Sequence, residues 1–210
     1  MDLVGVVSVL IVIVFSMVLH ELAHGVTAYL LGDTTAKEDG RLTLNPIKHL
    51  DPIMSVALPL MSFLLGGVVF GGAKPVPVNT RRLKGGAWGM ALVAIAGPLT
   101  NFILAFVGFL VWYWTGATGE DTFLSSMVVN MVFVNLGFGV FNMFPIPPLD
   151  GSRVLYVLMP DMVRDFMEKI EKIGIFIVYI LIVLGGSVFS SIMTGAMNGI
   201  LSGFYWIIGR

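Results

Sequence analysis

The chain has 210 residues, 57% of them hydrophobic and 12% charged, so a water-soluble globule of this length would have to expose much of its apolar surface. A formal net charge of −1 leaves no basic surface for a phosphate backbone, which argues against nucleic-acid binding. The absence of cysteine excludes disulfides, thiolate nucleophiles and sulfur ligands, so any metal site must be built from His, Asp, Glu or backbone oxygen.

The composition implies an all-α polytopic membrane protein, a single domain over 1–210 for which lipid is the solvent of the excess apolar surface. Residues 3–31 make the first spanning segment. It lacks the basic leader and small-residue cleavage site of a signal peptide and reads as a retained helix, about 43 Å long against a hydrocarbon core of about 30 Å. Residues 33–50 are polar and mixed, and the alternation Arg41-Leu42-Thr43-Leu44 suggests a short strand. Residues 52–72 are apolar again, but Pro59 and the glycines 66, 67, 71 and 72 fit either a kinked span or a re-entrant hairpin. Pro75 and Pro77 keep residues 73–80 out of helix, as a short β or extended segment. Further spans are expected over 87–114, 123–144 and 173–193, while segment 198–209 either completes a bent helix or lies at the interface.

Charge separates the two readings of 52–72. Eleven of the twelve basic residues fall in three stretches: Lys37, Arg41 and Lys48; Lys74, Arg81, Arg82 and Lys84; and Arg153, Arg164, Lys169 and Lys172. A re-entrant hairpin puts all eleven on one side, which the positive-inside rule makes cytoplasmic, with the N-terminus outside.

The chemistry starts at His20-Glu21-Leu22-Ala23-His24. On a helix the two histidines stand one turn apart on one face, able to reach a single zinc ion, and Glu21 beside them can take a proton from water. The pattern alone is short, but inside an apolar span a carboxylate without metal or partner costs several kcal/mol, of the order of 2.5 upward. A catalytic zinc takes three protein ligands and keeps one position open. His49 lies in a polar stretch and is expected to be solvated. Asp150 follows the apolar helix 123–144 and the irregular Pro145-Ile146-Pro147-Pro148, and is the better third ligand. Asn101, on the Gly97-Pro98 helix, is expected mainly to bond across helices.

On His20-Glu21-Leu22-Ala23-His24, Gly97-Pro98-Leu99-Thr100-Asn101 and the run from Asn142 to Gly151 (Asn-Met-Phe-Pro-Ile-Pro-Pro-Leu-Asp-Gly), the chain resembles the site-2 protease family, intramembrane zinc metalloproteases of the compact bacterial and archaeal type. The resemblance implies a site-2-protease-like helical core with His20, His24 and Asp150 as ligands of one zinc ion, Glu21 as catalytic glutamate and Asn142 as a residue holding or polarising the substrate. It implies an endopeptidase acting on transmembrane protein or peptide substrates, in a multi-pass protein of the cell membrane whose site opens toward the cytoplasm. The extended segment 75–78 is a candidate edge for pairing with an unwound substrate. A metal transporter or sensor using the same three ligands is the alternative. Glu21 separates the two, because metal transit needs no general base beside its ligand.

Overall fold

The computed structural model describes residues 3–51, 72–117 and 122–209. In chain order these form α1 (Leu3–Leu30), the single turn α2 (Thr35–Glu38), a 3-10 turn (Pro46–His49), α3 (Gly86–Thr115), α4 (Phe123–Asn142), α5 (Asp150–Leu158), α6 (Asp161–Glu171), α7 (Gly174–Leu184) and α8 (Gly186–Ile207). Among the described residues three helices, α1, α3 and α4, are long and apolar enough to cross a membrane, which makes the chain a multi-pass integral membrane protein. The hairpin expected over 52–72 lies, but for Gly72, outside the described residues.

Helices α1, α3 and α4 pack pairwise into a bundle, with α5 against α3 and α8 against α4. The pattern of α1 is inverted relative to a water-soluble helix. Every fourth residue, Ser8, Val12, Ser16, His20, His24 and Ala28, faces the bundle, whereas Leu3, Leu10 and Phe15 are exposed. Where lipid is as apolar as leucine, small residues that let backbones approach and polar residues that find partners belong inside. Helix α3 follows the same rule through Gly89, Ala94, Gly97, Asn101 and Ala105. At its far end, Phe109, Leu136 and Phe204 form an aromatic and aliphatic core joined by Phe106, Trp112 and Tyr205.

The expected strand is overturned. Among the described residues there is no β-strand, either at 41–44 or at 73–80. Residues 72–79 have no regular secondary structure, and three of their amides have partners elsewhere: Lys74 N–H donates to His49 O (2.9 Å), Val76 N–H to Glu21 Oε2 (2.8 Å) and Asn79 N–H to Asp33 Oδ2 (2.6 Å). Pro75 and Pro77 have no N–H to give, so no ladder can run along this stretch. The fold class is therefore an all-α bundle with an irregular strap. At the C-terminal end, Gly185 and Gly186 divide helix α7 from the 22-residue α8, so the boundary falls inside the stretch 173–193.

The strap and the loop before it gather at the end of the bundle where α1 finishes and α3 starts. Lys84 N–H donates to Leu31 O at 2.8 Å, and the buried Arg41 reaches Lys74 O at 2.7 Å. A cleft lined by Thr80, Arg81, Met90, Arg153 and Glu171 brings α5 and α6 to the same end. The three basic stretches therefore lie together.

Candidate metal centre

Helix α1 brings His20 and His24 onto its buried face, with ring centroids 4.6 Å apart in an edge-to-face arrangement. Two neighbours decide how these rings are used. His24 Nδ1 stands 2.7 Å from the carbonyl of Val93, in the turn of α3 before Pro98, and His20 Nδ1 stands 2.6 Å from Asn101 Oδ1. A backbone carbonyl can only accept, so His24 carries its proton on Nδ1, and the same holds for His20 if Asn101 presents its oxygen. In the neutral rings each Nε2 is then a bare lone pair.

Those two lone pairs lie 3.0 Å apart, and Asp150 Oδ2 lies 3.3 Å from one and 3.4 Å from the other. The 3.0 Å approach has the length of a hydrogen bond but has no proton to share, since both Nε2 atoms are acceptors. Asp150 Oδ2 is itself buried without a hydrogen-bond donor. Three acceptors converging on one point, one of them orphaned, ask for a cation. Zinc fits by size: ligands about 2.0–2.1 Å from a tetrahedral ion stand roughly 3.3 Å from each other. The donor set of two imidazoles and a carboxylate suits it as well, and three protein ligands leave one corner open.

The surroundings are cut to this cluster. Gly97 on α3 faces both rings: a Cβ there would collide with His24 Nε2 and stand 2.6 Å from His20 Cε1, so any larger residue would push the imidazoles away. Asp150 is the first residue of α5, where a carboxylate is favoured by the helix dipole. Gly151 lets that turn press on the end of α4, because a Cβ would meet the Met143 carbonyl and come within 2.7 Å of Phe144 O.

Glu21 is buried beside the cluster, and its Oε2 is held by the Val76 amide. The strap is fastened in turn at both ends, by Arg41 on Lys74 O and by Asp33 on Asn79 N–H. Burial works to raise the Asp33 carboxyl, but hydrogen bonds from the Thr35 hydroxyl and from the Asn79 and Thr35 amides outweigh it and hold the group below its ordinary range. Within 75–78 the two prolines have no N–H and the Val76 amide is taken up by Glu21.

The structure thus brings together His20, His24, Asp150 and Glu21. Asn142, the last residue of α4, turns its amide back to Phe138 O at 3.1 Å. His49, expected in solvent, is fully buried, with Nε2 on Thr43 O at 2.8 Å. The loop folds over it. Asn101 bonds across helices, donating to Asn135 Oδ1 at 2.8 Å, and its Oδ1 also faces His20 Nδ1 at 2.6 Å. Four contributors went unread in the sequence: the Val93 carbonyl, the Val76 amide, Asn135 and Ser16. Asn135 was open to detection as an amide inside an apolar span; backbone groups give no such signal.

Lipid-facing helices closing on two imidazoles, a carboxylate and a neighbouring glutamate define a membrane metalloprotein built for hydrolysis. The profile of peptidase family M50 matches residues 113–185. The chain is 40% identical over 202 residues to "Putative zinc metalloprotease YwhC" of Bacillus subtilis (strain 168), covering 92% of this chain and 89% of that protein. It is 32% identical over 173 residues to Rip2 of Mycolicibacterium smegmatis, which bears the same designation, covering 80% of this chain and 63% of that protein. Rip2 of Mycobacterium tuberculosis (strain H37Rv) is 35% identical over 147 residues, 67% of this chain and 52% of that protein. No solved structure matches the chain. The chain belongs to peptidase family M50. It is a zinc-dependent intramembrane metalloendopeptidase, with a His/His/Asp cluster able to coordinate the metal.

Proposed function

We propose that one zinc ion per chain, held by His20, His24 and Asp150, serves the hydrolysis of peptide bonds in or near the transmembrane segments of other membrane proteins. The observation that carries this reading is the convergence of two bare Nε2 atoms and an orphaned carboxylate oxygen on a single point. When bound, zinc polarises the scissile carbonyl and makes a water molecule acidic enough to attack at neutral pH. Glu21 takes the proton of that water and passes it to the leaving amine. Because the Val76 amide occupies Oε2, the proton is carried by Oε1. Asn142 keeps a second amide N–H beyond the one spent on Phe138, and this donor holds the substrate carbonyl.

The gathering of the basic stretches at the end of the bundle nearest the cluster supports a site opening toward the cytoplasm, in the cell membrane. His24 is six residues from the end of α1, about 9 Å of helix. Family membership favours hydrolysis over metal transit for the same ligands.

The test is cleavage of a membrane-spanning peptide by the purified protein in liposomes. Cleavage by the wild type, abolished by a zinc chelator, restored by zinc and absent in Glu21→Gln, is the expected result. Cleavage that survives in Glu21→Gln would remove the general-base role.

A further inference from the structure

We propose that Asn135, which does not touch the metal ligands, is a positioning residue that determines which nitrogen of His20 binds the metal. The inference rests on the proposed ligation by His20, His24 and Asp150. Asn135 sits in the middle of α4, fully buried, as are Asn101 on α3 and Ser16 on α1. Its Nδ2 donates to the carbonyl of Met131, one turn back in its own helix, at 2.9 Å, and to Ser16 Oγ at 2.8 Å. Its Oδ1 accepts from Asn101 Nδ2 at 2.8 Å, and Asn101 Oδ1 faces His20 Nδ1 at 2.6 Å.

The direction of every bond in this chain follows from its last member. The Met131 carbonyl can only accept, and Met131 Sδ, 3.2 Å from the same nitrogen, is likewise an acceptor. Asn135 must therefore turn its NH₂ toward Met131 and its oxygen toward Asn101. Asn101 answers with its own NH₂, so its oxygen is left for His20. An oxygen there requires a proton on His20 Nδ1, and that leaves Nε2 bare. Reversing either amide would set donor against donor or acceptor against acceptor in a buried site, at a cost of a few kcal/mol (about 1–3 for each group left unpaired).

Both ligands then share one logic. His24 has its tautomer set directly by the Val93 carbonyl, and His20 has it set by the Met131 carbonyl through two asparagines. Without Asn135, Asn101 is free to turn over and offer His20 an NH₂, which favours the tautomer with its proton on Nε2, unable to bind metal there.

The test compares Asn135→Leu with Ser16→Ala, which removes one acceptor but leaves the Met131 carbonyl. Zinc affinity is measured by chelator competition, and the site is inspected through the visible spectrum of the cobalt-loaded protein. Asn135→Leu is expected to lose about 10- to 100-fold in affinity and to alter the cobalt spectrum, the range found when partners of metal-bound histidines are removed. Ser16→Ala is expected to change affinity by no more than about threefold, since the carbonyl that sets the direction remains. A folded Asn135→Leu that binds zinc as the wild type does, while His20→Ala and Asp150→Ala lose it, overturns the relay alone. Zinc retained in all of them removes the ligand set and the relay with it. Should Asn135→Leu fail to fold, nitrogen-15 spectra of histidine-labelled, zinc-loaded wild type decide: a His20 ring protonated at Nδ1 and metal-bound at Nε2 supports the proposal, and the reverse overturns it.

Discussion

Helix α3 meets its neighbours at both ends, by opposite means. Toward its start it offers Gly89, Ala94, Gly97 and Asn101, and the interface is polar, with the histidines of α1 seated on glycine. Toward its finish it offers Phe109 and Trp112, and the interface is made of rings: Phe109 lies 4.9 Å from Tyr205 and 5.5 Å from Phe204. In lipid neither end gains from the exclusion of water, so each must rely on contact and on hydrogen bonds. The polar end orders its groups by pairing nearly every one, leaving the orphaned Asp150 oxygen for the metal. The aromatic end carries no chemistry and can supply the packing that such an arrangement needs. Stability and reactivity are thus separable along a single helix, and substitutions at the two ends should fail in different ways.

The largest effect is expected for Glu21→Gln, which should keep zinc and fold while losing about 10²- to 10⁴-fold in peptide cleavage, measured as initial rate in liposomes. Gly97→Ala comes next, because the added carbon enters the space of two imidazoles held on both sides; metal analysis should find zinc largely lost. Its counterpart Gly108→Ala meets Met131 Cγ at 3.0 Å and Cβ at 3.2 Å, away from both imidazoles, and should leave zinc content unchanged even where it costs packing. At the aromatic end, Phe109→Ala should lower stability by about 3 kcal/mol through the cavity it opens, read by unfolding in denaturant, with zinc affinity intact. Loss of zinc in Phe109→Ala without unfolding would show that the two ends are coupled.

The smallest effect concerns the strap. The Asp33 carboxyl is held below its ordinary 3.8 in the folded protein. It therefore contributes stability above a pH of about 4, which is lost as the pH falls through the lower folded-state value. Thermal unfolding followed from about pH 5 down to about pH 2 should show a weaker acid dependence in Asp33→Asn than in wild type.

The bundle was legible in the sequence because apolar runs in lipid have few alternatives, and the metal cluster because His20, Glu21 and His24 have no innocent reason to occur in such a run. Asp150 could be placed from the helix that precedes it. Alternation at 41–44 and the prolines of 73–80 speak against helix without saying where the strap's amides point, so the β alternative could not be excluded from sequence. Those amides go to Glu21, Asp33 and His49 O, partners 25 to 55 residues away in the chain. His49 was misread because polar neighbours in sequence do not show that a loop folds over itself. Asn135 is marked in the sequence only as an amide inside an apolar span, which does not say which partners that amide meets.

The most direct test of the central claim is the zinc content of the purified, folded protein beside Glu21→Gln, His24→Ala and Asp150→Ala. About one zinc per chain in wild type and Glu21→Gln, and clearly less in the other two, is the expected result. Full zinc retention without Asp150, or a folded wild type that takes up none, would contradict it.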